Sequence, residues 1–306
     1  MEEKKTTSLV REIENSLRPT IKGDTLREQY AWWTLESITG KKKLLLITQR
    51  TITLTEKQQA QLDSWIDKIV NEHMPIAYLL GSIPFDDLDI LLEAPILIPR
   101  PETEEWTVNL IAQLKLLKDQ TFTILDLCSG SGCIALALAK AFPLSTVYAV
   151  DISDKAIALG IKNAKHNAIK NVKFIHSDLF NELDTQTLFN IIVSNPPYIS
   201  FSEFQELDAS VSTWEDKQAL VAKDNGTAII NNIINNAADY LKTGSELANT
   251  KIPQLVIEIG YKQGKIVKDL MLSAGWTNVK VSKDLEGKDR VVSGRVLSHV
   301  DFKKKS

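Results

Sequence analysis

The segment with the clearest chemical content is Asn195-Pro196-Pro197-Tyr198, which directly follows an apolar run at residues 189–194. Two consecutive prolines after a buried strand make a rigid loop, because each fixes φ and neither donates a backbone hydrogen bond. The Asn195 side-chain oxygen and the Pro196 carbonyl oxygen can together accept both N–H groups of a planar amide or aromatic amine. Tyr198 can stack on that group, while Pro197 adds rigidity. The segment therefore predicts a site that holds a planar nitrogen.

A nitrogen of this kind is a weak nucleophile, because its lone pair is delocalised. Accepting both N–H groups fixes the nitrogen, draws electron density toward it and aims its lone pair at the methyl carbon of a sulfonium. No general base has to act before the attack, since the proton leaves after methyl transfer. The rate then depends on orientation and electrostatic stabilisation. A Pro-rich strand end with an aromatic lid is the alternative without chemistry.

A glycine-rich loop follows another apolar run and precedes a predicted helix. It reads Asp126-Leu127-Cys128-Ser129-Gly130-Ser131-Gly132. Glycines let the backbone approach a ligand closely, and a helix N-terminus offers free N–H donors, so the loop is typical of nucleotide binding. A tight strand–helix turn without a ligand is the plain alternative. Because Gly130-x-Gly132-x-x-Ala135 also satisfies the dinucleotide fingerprint, the loop alone leaves NAD open.

Three carboxylates follow successive strands. Asp151 lies 19 residues after Gly132, where a carboxylate can accept both ribose hydroxyls. Asp126, just before the loop, can face the cationic amino-acid end of S-adenosylmethionine, and Asp178 can accept from the adenine amino group. The carboxyl ends of parallel strands surround the crevice in which open α/β sheets bind ligands. Together the three carboxylates favour a nucleoside cofactor.

A scaffold must position these residues, and the sequence predicts that it has three parts along the chain. Residues 1–74 have apolar positions at helical spacing and predict a helical domain. Residues 75–98 predict a short β-hairpin that links two domains. Residues 99–306 form the third part, which opens with a helix over 99–117. Thr103 is the predicted N-cap of that helix.

From residue 122 onward, apolar runs alternate with helical stretches. The predicted strands are 123–127, 147–150, 172–176, 191–194 and 255–259. The predicted helices are 134–141, 155–167 and 227–241. Residues 279–282 and 291–297 predict an antiparallel closing hairpin. This alternation favours an α/β fold, a parallel sheet covered by helices on both faces.

The composition is that of a globular protein with one or two domains. The 306 residues are 43% hydrophobic and 25% charged, and the net charge is −3. This balance weakens a nucleic-acid-binding function, and no apolar run approaches the roughly 18 residues of a membrane helix. The two cysteines, Cys128 and Cys133, fit a reducing compartment. With no targeting pattern at the start, we expect a cytoplasmic protein, the mitochondrial matrix being the alternative.

The motifs together resemble a known family. The Asp-x-x-x-Gly-x-Gly loop with Asn-Pro-Pro-Tyr resembles class I S-adenosylmethionine-dependent amino-methyltransferases. More specifically, Leu97-Ile98-Pro99-Arg100-Pro101-Glu102-Thr103-Glu104 is similar to the signature of the HemK/PrmC family. The similarity continues through residues 124–143, 149–180, 191–199, 258–260 and 288–295. It spans roughly residues 73–297.

The resemblance implies a fold and a reaction. The fold is Rossmann-like, with a mostly parallel seven-stranded sheet and a small N-terminal helical domain joined by a β-hairpin. The reaction is methylation of the glutamine N5 amide nitrogen in the Gly-Gly-Gln loop of class I peptide-chain release factors. S-adenosylmethionine is the implied cofactor, and a release factor is the implied partner. We expect the N-terminal helices to recognise that partner, since an amide pocket alone recognises one side chain.

The resemblance also implies individual roles. The cofactor-binding residues are Asp126, Cys128, Ser129, Gly130, Ser131, Gly132, Asp151 at the ribose, Asp178 and Leu179 at the adenine, and Asn195. The residues that hold the glutamine and carry catalysis are Asn195, Pro196, Pro197 and Tyr198. Arg100 and Glu102 belong to a segment beside the substrate. No metal, no membrane association and no stable nucleic-acid binding are expected.

The sequence departs from the family pattern at three places. Cys128 replaces the first glycine of the usual loop; a Cβ is tolerated there if φ is negative. Cysteine is frequent at this place in related ribosomal-protein glutamine methyltransferases, which usually lack the Pro-Glu-Thr-Glu run. Trp214-Glu215-Asp216 stands where the family has aromatic-Glu-Pro, and Asp87 stands where it often has glycine.

Several other functions stay open at this stage. A glutamine methyltransferase of a ribosomal protein uses the same chemistry. An adenine-N6 methyltransferase of DNA or RNA also uses Asn/Asp-Pro-Pro-aromatic, but it must flip the base, and the chain offers neither a target-recognition domain nor a basic excess. A non-catalytic module with this fold and an NAD dehydrogenase are further alternatives, and no hydride-transfer acid–base group supports the latter.

Overall fold

The computed structural model describes residues 3–117, 121–242 and 252–296. The chain divides into two compact units: Met1–Ser82 with Asp208–Trp214, and Ile83–Leu207 with Glu215–Ser306. The division at residues 74 and 98 that the sequence predicts stays a prediction. In the part of the chain that is described, no helix combines the length and the apolar character needed to cross a membrane.

The first unit is mainly helical, as predicted. Its elements are β1 (Lys4–Lys5), α1 (Thr6–Leu17), α2 (Asp24–Thr39), α3 (Lys43–Gln49), β2 (Thr51–Ile52), α4 (Glu56–Asn71) and α5 (Ile76–Leu80). Helix α4 begins with a capping box, in which Thr55 and Gln58 satisfy each other's backbone N–H groups. Apolar residues at helical spacing, such as Ile13, Leu17 and Leu62, are buried in one common core.

The second unit alternates strands and helices. Its strands are β3 (Ser82–Phe85), β4 (Leu88–Leu91), β5 (Thr123–Leu127), β6 (Thr146–Asp151), β7 (Val172–His176), β8 (Ile191–Ser194), β9 (Leu255–Glu258), β10 (Thr277–Lys283) and β11 (Asp289–Arg295). Its helices are α6 (Pro101–Lys115), α7 (Cys133–Ala141), α8 (Asp154–His166), α9 (Phe201–Phe204), α11 (Lys217–Leu220), α12 (Lys223–Gly226), α13 (Ala228–Asn236) and α14 (Gly264–Ser273), while α10 (Ala209–Ser212) belongs to the first unit.

Seven strands form one sheet in the order β10-β11-β9-β8-β5-β6-β7. Strands β9, β8, β5, β6 and β7 pair in parallel, whereas β11 and β10 pair antiparallel at one end. The predicted parallel sheet and its closing hairpin are therefore confirmed, although residue 297 lies outside the described residues. The predicted helix over 227–241 is α13 followed by a 3-10 turn at Ala237–Tyr240.

Two helical layers cover this sheet. Leu125, Leu127 and Ile192 point from the strands into an apolar cluster with Ile230 of α13 and Val267 of α14. Helix α7 packs against α6 and α8, and it contacts β5, β6 and β7. Because side chains alternate along a strand, these two helix groups lie on opposite faces.

The strand register brings the ends of four strands to one edge. Leu127, the last residue of β5, is opposite Val150 of β6 and Ser194 of β8. Asp151 at the end of β6 is opposite His176 at the end of β7. The loops that follow these strands must therefore emerge together at the carboxyl edge, the usual ligand edge of such a sheet.

Helix α8 pairs with the hairpin β3–β4 through two asparagine side chains. Asn163 accepts from the Leu91 N–H through Oδ1 (2.7 Å) and donates to the Leu91 carbonyl through Nδ2 (3.2 Å). Asn167 makes the same two bonds with the backbone of Asp89 (3.0 and 2.9 Å). The Asn163 Nδ2 also donates to the Ser131 carbonyl (2.9 Å), so this side chain joins the hairpin to the glycine-rich loop.

The prediction that Thr103 caps α6 is wrong. The helix begins at Pro101, which suits a first helical position because its missing N–H has no partner there anyway, and Arg100 is the N-cap residue. Thr103 lies inside the first turn and is buried. Its hydroxyl group is engaged by a distant residue, as described below.

Candidate active site

A cavity of about 440 Å³ opens at the carboxyl edge of the sheet, and every residue that lines it belongs to the second unit. The predicted site residues that line it are Cys128, Ser129, Gly130, Ser131, Asp151, Asp178, Leu179, Asn195 and Pro197. Asp126, Gly132, Pro196, Tyr198, Arg100 and Glu102 do not line it. The glycine-rich loop and the Asn-Pro-Pro-Tyr segment thus form walls of one cavity. Its size suits a small-molecule ligand.

The glycine-rich loop is held by hydrogen bonds to its own strands. The Gly130 N–H donates to Asp151 Oδ2 (2.8 Å), and the Ser129 N–H donates to the Val150 carbonyl (2.9 Å). Gly130 has φ +54°, and no atom lies within 4 Å of the position that a Cβ would take. This position therefore leaves open space beside the backbone, as a loop that cradles a ligand requires.

Cys128 has φ +59°, so the negative φ under which a Cβ is readily tolerated at this position is not adopted. The backbone turns into the left-handed region directly after β5, which an L-residue adopts at a cost of about 1–2 kcal/mol. The side chain packs against the apolar core of the second unit, which offsets part of that cost. Burial raises the pKa of the Cys128 thiol, so the group is a neutral wall of the cavity and not a nucleophile.

Asp126 lies behind the loop rather than at the cavity wall that the sequence analysis predicts for it. Its side chain is fully buried, and Oδ2 accepts from the Ala135 N–H at the start of α7 (3.1 Å). A carboxylate is favoured there by the free N–H groups of the helix. Burial raises its pKa well above the usual range, and Oδ1 has no hydrogen-bond partner among the residues that the structure describes.

Asp151 keeps the predicted place at the cavity. Its Oδ2 accepts from Gly130 and its Oδ1 accepts from the Ser153 N–H (2.9 Å), which fixes the carboxylate. A carboxylate has about four acceptor positions, so Asp151 keeps acceptor capacity for a ribose hydroxyl. Burial raises the pKa of Asp151. Asp178 is exposed beside the cavity, and Leu179 is a buried part of its wall.

The Asn-Pro-Pro-Tyr segment is anchored by a buried carboxylate that the sequence analysis gave no role. Glu258, the last residue of β9, accepts through Oε2 from Thr103 Oγ1 (2.7 Å) and from Trp106 Nε1 (2.7 Å). Its Oε1 accepts from the Tyr198 hydroxyl (3.3 Å), and Thr103 Oγ1 accepts from Asn195 Nδ2 (3.2 Å). We call these five residues the Glu258 network. The resemblance at residues 258–260 was the available signal for it.

Arg100 and Glu102 do not line the cavity, and their place beside the substrate stays a prediction. The Arg100 guanidinium is paired with Glu215, a buried carboxylate. Glu102 lines a different concavity of about 900 Å³, which Trp106 and Arg290 also line. Instead, Ile96, Leu97 and Pro99 from the preceding stretch reach the cavity wall.

Sequence analysis missed one wall of the cavity. It comes from α11, α12 and their flanks, and its residues are Asp216, Gln218, Ala219, Val221, Ala222 and Lys223. These helices are four residues long, so neither periodicity nor a motif reveals them. The available sequence signal for this wall was the segment Trp214-Glu215-Asp216 beside it, which stands where the family has aromatic-Glu-Pro.

The arrangement fits S-adenosylmethionine better than NAD. Asp151 offers fixed acceptor oxygens for ribose hydroxyls, the loop at Gly130 offers open backbone, and the buried Ser129 hydroxyl has no partner within the described residues. Apolar walls at Ile134 and Leu179 suit an adenine ring. The residues that line the cavity include no histidine, the side chain that most often serves as a general acid or base.

Two family models match parts of the chain. Residues 9–81 match the PrmC N-terminal domain, and residues 107–211 match the methyltransferase small domain. Among solved structures, the catalytic domain of hMettl16 is similar in fold, with a TM-score of 0.50 at 14% identity. That similarity covers 83% of this chain and 85% of the other.

Curated relatives extend the similarity over most of the chain. The release factor glutamine methyltransferase of Salmonella typhimurium is 38% identical over 85% of this chain and 89% of its own length. The protein of the same name in Escherichia coli is 36% identical over 85% and 89%, and that of Lactococcus lactis is 35% identical over 88% and 94%. With this identity over nearly the full length of each relative, the chain belongs to the release factor glutamine methyltransferase family.

Proposed function

We propose that this protein transfers a methyl group from S-adenosylmethionine to the glutamine N5 amide nitrogen in the Gly-Gly-Gln loop of a class I peptide-chain release factor. The relatives' names support the release factor as substrate. The observation that carries the proposal is at Asn195, which lies at the cavity wall with its Nδ2 engaged by Thr103. Its Oδ1 is thereby the atom available to accept from a substrate amide.

The cofactor, when bound, supplies a methyl group on a positively charged sulfur. Asp151 would hold its ribose, Asp178 and Leu179 would lie at its adenine, and the loop Cys128–Gly132 would hold the remainder. With the cofactor and substrate bound, the apolar cavity walls would displace water, which strengthens the electrostatic interactions inside the site.

The chain's own contribution to the reaction is positioning. Asn195 Oδ1 and the Pro196 carbonyl would accept the two N–H groups of the glutamine amide, which fixes its plane and increases the electron density on its nitrogen. No side chain has to remove a proton first. Tyr198, tied to Glu258 through its hydroxyl, keeps the segment in place, and the two prolines prevent it from relaxing.

A methyl-transfer assay tests this proposal. The protein is incubated with S-adenosylmethionine labelled in its methyl group and with a purified class I release factor or its Gly-Gly-Ala variant. We expect label on the unmodified factor alone, and a rate at least about 100-fold lower with Asn195→Ala. Thr107→Val, a buried change on α6 outside the Glu258 network, is the matched control and should keep the rate.

Other outcomes would overturn the proposal. Label on both factors would exclude the Gly-Gly-Gln glutamine. Label only on a ribosomal protein, or only on adenine in a nucleic acid, would assign the same site to another substrate. Unchanged transfer by Asn195→Ala would refute the role of the segment.

The partner and place of action follow from the same proposal. A release factor is larger than the cavity, so we propose that the N-terminal helical unit contributes to its recognition. Release factors act on ribosomes, so a cytoplasmic location remains the prediction, with the mitochondrial matrix as its alternative. Full activity on an intact factor but not on a short Gly-Gly-Gln peptide would support recognition outside the amide pocket.

A further inference from the structure

The Glu258 network contains a carboxylate that the proposed reaction does not consume. Glu258 is 1% exposed, and four other residues are connected to it by hydrogen bonds. A buried carboxylate is costly unless its oxygens are fully satisfied. Because Glu258 lies directly behind the Asn-Pro-Pro-Tyr segment, we expect this carboxylate to have a function beyond packing.

The hydrogen atoms in this network have one consistent arrangement. The Trp106 indole can only donate, and the Glu258 carboxylate can only accept. Thr103 has a single hydroxyl proton, which is directed at Glu258 Oε2. The lone pairs of that hydroxyl then face Asn195, and they can accept from its Nδ2 but cannot donate to its Oδ1.

We propose that Glu258, acting through Thr103, is a positioning residue that fixes the orientation of the Asn195 amide and thereby presents Oδ1 to the substrate nitrogen. The proposal rests on the proposed function in one respect, that Asn195 holds the amide that is methylated. With the amide flipped, Nδ2 would face the substrate N–H groups and repel them. An amide free to rotate would spend part of its time in that unproductive state.

The electrostatics of the site agree with this assignment. Burial raises the pKa of Glu258, whereas the hydrogen bonds from Trp106 and Thr103 and the charge of Arg290 act in the opposite direction. The geometry commits the Thr103 proton in either charge state of Glu258. Because Oε2 already accepts from Trp106 and Thr103, a proton taken up by this carboxyl would lie on Oε1, which faces Tyr198.

Substitutions at Thr103 test this positioning role, because the hydroxyl can be removed or kept with little change in the shape of the side chain. Thr103→Val removes the hydroxyl, and Thr103→Ser keeps it. Thr107→Val makes the same change one turn along α6, at a buried hydroxyl that donates to the Thr103 backbone carbonyl but to no side chain of the network. We expect kcat to fall about tenfold for Thr103→Val and to stay within about twofold for the other two. The Kd for S-adenosylmethionine, measured by calorimetry, should change little in all three.

The outcomes separate positioning from a merely structural role. Equal loss in Thr103→Val and Thr103→Ser would overturn the proposal, as would full kcat in Thr103→Val. If Thr103→Val does not fold, Glu258→Leu replaces it, because leucine removes both acceptor oxygens. An unchanged kcat with intact cofactor binding would then equally contradict the proposal. When the Thr103 and Glu258 substitutions are combined, we expect kcat to fall no further than in the more affected single variant, because both changes break the same connection.

A second measurement does not depend on turnover. In protein labelled with ¹⁵N-asparagine, the Asn195 side-chain N–H₂ protons should exchange slowly in the wild type and in Thr103→Ser, and quickly in Thr103→Val. Fast exchange in the wild type would overturn the proposed orientation. If the wild type transfers no methyl group to a release factor but shows this exchange pattern, the proposed function fails while the positioning by Glu258 stands.

Discussion

Arg100 and Glu215, 115 residues apart in the chain, form an ion pair in which one guanidinium nitrogen, Nη2, lies 2.8 Å from Oε1 and 2.6 Å from Oε2. The Glu215 side chain is 1% exposed, whereas that of Arg100 is 32% exposed. Burial raises the pKa of Glu215, and the charge of Arg100 opposes this shift. The pair joins the start of α6 to the residue just before the missed wall of the cavity.

We predict that Arg100→Met destabilises the second unit by about 3 kcal/mol, because it leaves a buried carboxylate without its cation. The double variant Arg100→Met/Glu215→Gln should recover most of the loss. Lys162→Met, which breaks an ion pair whose two side chains are both more than half exposed, should cost less than about 1 kcal/mol. Urea unfolding measures all three; a similar cost for the two single variants would contradict the argument.

Asn195→Asp tests the orientation of the amide in a second way. Aspartate keeps an acceptor oxygen for the substrate but places its other oxygen against the lone pairs of Thr103, and it adds a charge near buried Glu258. We therefore expect it to lose at least about 100-fold in methyl transfer, as Asn195→Ala does. Near-normal transfer by Asn195→Asp would mean that Thr103 can donate, contrary to the inferred network.

Gly226→Ala should impair catalysis by displacing the substrate segment. A Cβ at Gly226, which has φ +85°, would overlap the Tyr198 carbonyl oxygen and lie 2.8 Å from Gln263 Nε2. We expect methyl transfer to fall at least about tenfold, since small displacements of a positioned substrate are costly. Gly287→Ala, with φ +78° and no atom within 4 Å of its Cβ, carries the backbone strain alone and should leave the rate unchanged.

Asn163→Ala should weaken cofactor binding, whereas Asn167→Ala should not. Both asparagines bond the β4 backbone in the same way, but only Asn163 also donates to the Ser131 carbonyl in the glycine-rich loop. We predict a three- to tenfold higher Kd for S-adenosylmethionine in Asn163→Ala, about the effect of one lost hydrogen bond. If calorimetry showed the same rise in Kd for both variants, the lost affinity would come from the hairpin bonds that both asparagines make, and not from the bond to the glycine-rich loop.

The pH dependence of stability should reveal buried Asp126. Its pKa in the folded protein is well above the unfolded value, so the folded state binds the proton more tightly. Stability is therefore lost as pH rises from the unfolded value, about 3.9, to the raised folded value. Asp126→Asn should gain stability relative to the wild type across that window, measured by urea unfolding at a series of pH values.

A carboxyl with the opposite shift provides the control for this prediction. Hydrogen bonds from Ser200 lower the pKa of Glu203, so its contribution to stability is present at high pH and is lost as pH falls. Glu203→Gln should therefore lose stability relative to the wild type as pH rises. If both variants changed in stability relative to the wild type in the same direction as pH rises, the environments assigned to Asp126 and Glu203 would be contradicted.

The sheet and the loop positions were predictable because local patterns determine them. Apolar runs such as residues 123–127 and 191–194, followed by Cys-Ser-Gly and by Asn-Pro-Pro, indicate buried strands and the loops after them. Parallel strands then place Asp151, Gly130 and Asn195 at one edge whatever the details of packing. The main wall of the cavity was therefore available from the sequence.

The remaining features depend on partners distant in the chain. Thr103 follows a proline in the first turn of a helix and so resembles a cap, but its hydroxyl is bound by Glu258, 155 residues away. The sign of φ at Cys128 follows from the path of the loop after β5, which residue types do not specify. The Asp126 side chain likewise accepts a hydrogen bond from the N-terminus of α7, an orientation that depends on tertiary packing and that residue types do not specify.

The side chains of Asn163 and Asn167 also affect how this protein meets other copies of itself. The backbone groups of Asp89 and Leu91 that face away from β3 would otherwise be an open strand edge, the kind of surface on which β-strands of separate chains join. Two amides spaced four residues apart, one on α8 and one at its C-cap, occupy these groups as a neighbouring strand would. The short hairpin is thereby protected from intermolecular strand pairing without the addition of a third strand.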